Sequence, residues 1–296
     1  EAAAEGKPQR QHHVGYFLID DAGKNELVKK AGFYFSIADK VKAVLKYNRI
    51  LSYAGSVMLF TYVLSILAAF FVWHDGQPLW LAVIAGVLSF IAFSQLFTVL
   101  VNWVSTILVS PRPLPKMNYS DGIPKEYSTL VAVPCMLTSA AGIQELVEEL
   151  EVRYLANPEE NLFFALLTDF ADGSKEKMPG DESLLVHAKQ LIEDLNTKHI
   201  KEETDKFFLF HRPRKWNAQE RLWMAHERKR GKLGELNSLL RNAGYDDFSL
   251  VVGNIEGIHH IKYVITLDAD TQLPRESAWK MIATMAHPLN KPVIDE

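Results

Sequence analysis

Cysteine is almost absent: Cys135 is the single one in 296 residues. No internal disulfide can form, and no His/Cys cluster has zinc-ligand spacing. Cys135 lies in the apolar run Leu130-Val-Ala-Val-Pro-Cys-Met136, which reads as a buried thiol and not as a nucleophile. A basic excess is also missing. The net charge is −4, so the whole chain does not read as a nucleic-acid binder. No internal repeat is read in the sequence, and the given start does not read as a signal peptide. Glu1 opens the chain without a methionine and Asp295-Glu296 close it; both ends are expected to be cuts from a longer polypeptide.

Charge is missing from two long stretches. From Ile50 to Trp73 no residue is formally charged, which exceeds the about 20 residues needed to cross a bilayer core. A polar loop, His74-Asp-Gly-Gln77, leads into a second uncharged stretch from Pro78 to Val109. Trp73, Trp80 and Trp103 stand where aromatic belts form. A buried pair of helices in a soluble core is the competing reading. Lys40, Lys42, Lys46 and Arg49 precede the first stretch, and Arg112 and Lys116 follow the second. The positive-inside rule puts both flanks in the cytoplasm. The expected organisation is a cytoplasmic and juxtamembrane segment over 1–49, two transmembrane helices over 50–109, a proline-rich linker over 110–127, and an α/β domain over 128–296. Within the first segment, His13–Asp20 reads as a short strand or aromatic packing segment. The pattern around Phe33, Ile37, Val41 and Leu45 fits an amphipathic helix.

What is present begins with 48% hydrophobic residues, enough for a sizeable core. Beyond Pro115 strand and helix patterns alternate. Strands are expected at Ser128–Pro134, Leu162–Thr168, Phe207–His211, Ser249–Val252 and Tyr263–Asp268, the last central and buried. Helices are expected at Gly142–Ala156, Glu182–Lys198, Gln219–Asn242 and Glu276–Ala286. Such alternation implies a mostly parallel, Rossmann-like sheet. Ligands of such sheets bind beyond the C-terminal ends of the strands.

Those strand ends carry the chemistry. Lys262-Tyr-Val-Ile-Thr-Leu-Asp-Ala-Asp-Thr-Gln-Leu-Pro274 ends an apolar run in Asp268 and Asp270. In an extended conformation residues i and i+2 point to one side, so two hard oxygen ligands can share a divalent cation that holds a diphosphate. The same pair also occurs in turns, where Asp caps backbone N–H groups. Leu166-Leu-Thr-Asp-Phe-Ala-Asp-Gly173 supplies Asp169 and Asp172, able to accept from uracil N3–H or ribose hydroxyls, or simply to form the turn before Gly173. Arg228-Lys-Arg-Gly-Lys-Leu-Gly-Glu-Leu-Asn237 supplies Lys232 and Asn237 for phosphate and sugar oxygens. The nearby Arg and Lys cluster is expected to touch ligand at a few residues and to be solvated or near the membrane at the rest. Trp216 and Trp223 within it read first as helix core.

Arg214-Lys-Trp-Asn-Ala-Gln-Glu220, Trp223-Met-Ala-His-Glu-Arg-Lys-Arg-Gly-Lys-Leu-Gly-Glu-Leu-Asn237, the Lys262–Arg275 stretch and Met285-Ala-His-Pro-Leu-Asn290 resemble the bacterial cyclic β-1,2-glucan synthases. His13–Asp20 is similar too. The resemblance implies a GT-A type glycosyltransferase domain on a two-span hairpin, truncated here at its C-terminal end, in a multi-pass protein of the bacterial inner membrane. It implies UDP-glucose as donor, Mg or Mn as cofactor, and a growing β-1,2-glucan chain and a downstream phosphorylase-like domain as partners. By it Asp169 binds the nucleotide, Asp268 and Asp270 the metal, and Lys232 to Asn237 match the donor motif. The general base of such relatives and their Gln-x-x-Arg-Trp acceptor motif are expected after Glu296, so this segment should bind donor without turning it over. Two other readings stand beside it. One is a membrane scaffold that binds a nucleotide or partner without chemistry. The other is an Asp-x-Asp phosphatase, in which the motif is expected on the first strand.

Overall fold

The computed structural model describes residues 13–32, 36, 47–108, 113–199, 204–241 and 247–291. It contains two compact units, the first ending at Pro113 and the second starting at Leu114.

The first unit is helical. Helices α1 (Val14–Ile19) and α2 (Asp21–Lys30) occupy the start, so His13–Asp20 is not a strand. Asp20 ends one helix and caps the next, its Oδ1 accepting from Ala22 N–H at 3.0 Å. Such a cap satisfies an orphan donor of the first turn and splits the run into two helices. The amphipathic helix expected around Phe33–Leu45 lies outside the described residues.

Helices α3 (Arg49–His74) and α4 (Leu79–Leu108) follow. Both are long and apolar enough to cross a membrane. Their most apolar windows are only 11% and 6% buried among the described residues, unlike the core helix of a soluble domain. They pack on each other through Phe60 against Phe97 and Tyr62 against Phe90. Tyr53 Oη donates to Asn102 Oδ1 at 2.8 Å. A Cβ on Gly86 would lie 3.2 Å from Ala69 Cβ, the close approach that small residues allow between apolar helices.

The second unit is an α/β domain. Its strands are β1 (Thr129–Leu137), β2 (Leu162–Phe170), β3 (Phe207–His211), β4 (Lys215–Asn217), β5 (Leu222–Met224), β6 (Leu250–Val252) and β7 (Tyr263–Thr266). The helices are α5 (Ala140–Ala156), α6 (Asp181–His199), α7 (Arg228–Leu240) and α8 (Ser277–Ala286). The main sheet runs β6-β3-β2-β1-β7, with β7, β1, β2 and β3 parallel and β6 antiparallel. Alternate strand residues feed two cores. Val131, Val133, Phe164, Leu166, Phe207 and Leu209 meet Ile143, Val147 and Leu150 of α5 and Ile192 of α6. Leu130, Ala132, Phe163, Ala165, Phe208 and Phe210 meet Leu236 and Leu239 of α7 on the other face. Burial on both faces explains why β1 to β3 read as nearly continuous apolar runs. Each fully buried aliphatic or aromatic side chain here contributes about 1.5–3 kcal/mol over its exposed state.

Three expectations are corrected. The helix expected over Gln219–Asn242 starts late: the hairpin of β4 and β5 precedes α7, which begins only at Arg228. Asn217 Oδ1 accepts from the N–H groups of Gln219 and Glu220 and starts a turn. Arg221 and Glu227 take positive φ of 54° and 51°, and Arg228, at the first position of α7, 33°, so no continuous helix runs through 221–228. Trp216 and Trp223 are therefore cross-strand partners, ring centroids 5.9 Å apart, and Trp216 is 52% exposed. Second, β7 is neither central nor buried. Among the described residues it is an edge strand paired with β1, and Val264 and Thr266 are exposed. Third, the stretch expected as a linker packs onto the domain: Tyr119 and Ile123 are buried, and Met117 N–H donates to Ala283 O at 3.0 Å.

Candidate functional site at the strand ends

The C-terminal ends of β1, β2 and β7 lie side by side in the sheet, and α7 joins them. Its apolar side, Leu236 and Leu239, is sunk in the second core. Its first turns therefore reach the strand ends. Lys232 Nζ donates to Asp169 Oδ1 of β2 at 2.8 Å and to Cys135 O of β1 at 2.5 Å. Lys229 Nζ is hydrogen-bonded to Asp268 Oδ1, just beyond β7. Arg228 Nη2 donates to Asp172 Oδ2 at 2.7 Å. Three cations of one helix are thus matched to three of the four candidate carboxylates.

The matches differ in depth. Side-chain exposure is 4% for Lys232 and 2% for Asp169. Arg212, also buried, lies 3.5 Å from Asp169 Oδ2 and 3.0 Å from Glu235 Oε2. A buried carboxylate needs such partners, because desolvation of an uncompensated charge is far costlier than the pair returns. Burial also pushes the Glu235 carboxyl above its ordinary range, against the pull of Arg212. Gly231 makes the arrangement possible: a Cβ there would lie 2.3 Å from His226 O and 2.7 Å from Arg212 Nη1. Cys135 is a buried thiol, raised by that burial to about 12 with Lys232 opposing, as expected of a structural cysteine.

Asp268 and Asp270 are both exposed. Between them the chain turns, with Ala269 and Asp270 at the centre. Thr271 N–H donates to Asp268 O at 2.9 Å and closes a turn over 268–271, so the same-side rule for strands does not apply. Asn237 is exposed, whereas Lys232 is buried. Five residues apart on a helix, they face directions about 140° apart. Asp169, Asp172, Lys232 and Asp268 are thus connected through α7, and Asn237 is not drawn into that network.

Two residues that sequence reasoning passed over hold the Asp-x-Asp turn. Arg153 of α5 donates through Nε and Nη2 to Thr271 O at 3.1 and 3.0 Å, and through Nη2 to Ala269 O. Asn157 Nδ2 donates to Leu273 O and Pro274 O, while its Oδ1 accepts from Ala278 N–H. Arg153 follows Leu150 by three residues on the buried side of α5, so a charged residue inside an apolar stripe was the available signal. Arg214 does similar work on the loop after β2. It donates to Ala171 O at 2.6 Å, pairs with Asp181 and lies over the Phe170 ring. His211, also missed, is buried at the end of β3, its Nδ1 2.9 Å from Thr168 Oγ1. Burial lowers its pKa to about 4, with Asp181 opposing.

Arg153→Met is expected to destabilise the domain by about 1.5–3 kcal/mol, the contribution of hydrogen bonds from a charged donor. Trypsin cleavage after the exposed Arg275 should accelerate, since the loop opens locally. An unchanged melting midpoint and cleavage rate would contradict the clamp.

No family model matches the chain. It is 37% identical, over 99% of its length, to the protein named cyclic beta-(1,2)-glucan synthase NdvB of Rhizobium meliloti (strain 1021). The chain is thus similar to a cyclic β-1,2-glucan synthase. The resemblance carried by the long motifs is therefore borne out along nearly the whole sequence. The chain spans 10% of the length of that glucan synthase. The match runs across both the apolar helices and the α/β domain.

Proposed function

We propose that the chain is the donor-binding part of a membrane-bound glucosyltransferase that uses UDP-glucose and Mg²⁺ or Mn²⁺ to build β-1,2-glucan. The observation that carries the reading is the reach of α7 across three adjacent strand ends, where it meets Asp169, Asp172 and Asp268. Open α/β sheets bind ligands at such edges. The similarity to a cyclic β-(1,2)-glucan synthase supports the product class.

Asp268 and Asp270 are the residues that would hold the metal. Among the described residues no three His, Cys, Asp or Glu side chains form a group able to hold a metal ion. Two exposed carboxylates fit a hard cation that takes its remaining ligands from donor phosphates and water. Such a cation supplies Lewis-acid stabilisation of the diphosphate leaving group. Asp169, fixed by Lys232 and Arg212, would present its carboxylate to the uracil or ribose, with Asp172 beside it. The apolar helices α3 and α4 would anchor the chain in a bacterial inner membrane, with the α/β domain in the cytoplasm, where UDP-glucose is made. The growing glucan and a phosphorylase-like domain of a longer polypeptide would be its partners.

In the full chain, solubilised in detergent, UDP-glucose should bind in the presence of Mn²⁺ and lose that binding in EDTA. Equal binding with and without EDTA would contradict a metal-held diphosphate. No binding under either condition would favour a scaffold without donor chemistry.

A further inference from the structure

The ion pair between Lys229 and Asp268 is unlike the buried pair beside it. Lys229 is 51% and Asp268 61% exposed, so neither is committed by burial. Lys229 sits in the first turn of α7, between Arg228, which holds Asp172, and Arg230, which is 87% exposed and 3.5 Å from Glu227. Its ammonium is a compact charge on a flexible four-carbon stem, free to swing without moving the helix. Asp268 belongs to the Asp-x-Asp turn that Arg153 and Asn157 hold in place. The backbone under Asp268 is therefore held, while the exposed lysine stem can take other rotamers.

A divalent cation on Asp268 and the Lys229 ammonium compete for one carboxylate. A cation displaced from Asp268 needs a new anion, and a metal-bound diphosphate would bring one to the same turn. Resting on the donor-site reading above, we propose that Lys229 is an exchanging counter-ion: it pairs with Asp268, yields that carboxylate to the metal, and then pairs with the diphosphate oxygens of the donor. The lysine thereby opposes metal binding alone and favours metal binding with diphosphate. By linkage, metal and diphosphate each raise the affinity for the other.

Substitution of Lys229 must then move two affinities in opposite directions. In the full chain, Lys229→Met should tighten Mn²⁺ binding without nucleotide by about two- to fivefold, the range set by loss of an exposed ion pair. Free Mn²⁺ counted by electron paramagnetic resonance reads this directly. With saturating Mn²⁺, the same variant should bind UDP and inorganic pyrophosphate about fivefold more weakly, having lost one charge-assisted hydrogen bond. Lys189→Met removes the same charge from the exposed 49%/46% pair with Glu193 on α6, and should change both affinities by less than about twofold, since screening confines such effects to a Debye length. If Lys229→Met shifted both affinities in one direction, or neither, the exchange would be refuted and the donor site would stand. If the wild-type chain bound no UDP with Mn²⁺, the exchange and the donor site would both fall.

Discussion

Lys232→Met is expected to lower the stability of the α/β domain by about 3–5 kcal/mol, the cost of removing one partner from a buried ion pair. The lysine is 4% exposed and its carboxylate partner 2%, so water cannot replace the lost ammonium. Asp169 would keep only Arg212, at 3.5 Å, and Cys135 O would lose its donor at 2.5 Å. The double variant Asp169→Asn with Lys232→Met should recover much of the loss, because it leaves no unpaired charge in the interior. Denaturant unfolding of the three variants measures both terms. A loss under about 1 kcal/mol in the single variant would mean that water reaches the pair, a surface magnitude.

The consequence extends past stability. Lys232 bridges β1 and β2 at the strand ends, so its loss removes one polar tie between α7 and the strand ends, leaving the apolar packing of Leu236 and Leu239. The first turn of α7 would then rest on Arg212, which donates to Arg228 O at 3.2 Å, and on the exposed pairs to Asp172 and Asp268. A candidate ligand residue is also the bolt of the local fold.

The central sheet was legible because its strands are buried on both faces. Val131, Val133, Phe164 and Leu166 on one side, and Leu130, Ala132, Phe163 and Ala165 on the other, make β1 and β2 apolar throughout. The helices α5 and α6 were legible from their 3.6-residue apolar period. The position of β7 was not, since Tyr-Val-Ile-Thr is equally apolar at an edge, where Val264 can be exposed. The β4–β5 hairpin was hidden by residues that favour helices: Gln219, Glu220 and Arg221 are good helix formers. A side-chain turn at Asn217 and the Trp216–Trp223 contact override that propensity.

At the site, Asp169, Asp172, Lys232 and Asp268 were visible as polar groups following or interrupting apolar runs. Their pairing was not, because it depends on where α7 starts. Arg153 showed only as a charge within an apolar stripe, and its role with Asn157 was hidden because both act at sequence separations above one hundred. The turn they hold puts Asp268 and Asp270 on bent backbone, which strand periodicity alone did not anticipate.

That turn is where the account is most exposed to test. In the full chain, UDP-glucose is titrated at fixed saturating Mn²⁺ into wild type and Asp270→Ala. Asp270 is exposed and its replacement is not expected to disturb the core. A metal–diphosphate site predicts at least about tenfold weaker binding in the variant, the loss already seen when an outer-shell metal partner is removed. Equal affinity in the two proteins, with Mn²⁺ dependence retained, would take Asp270 out of the metal site and contradict the account.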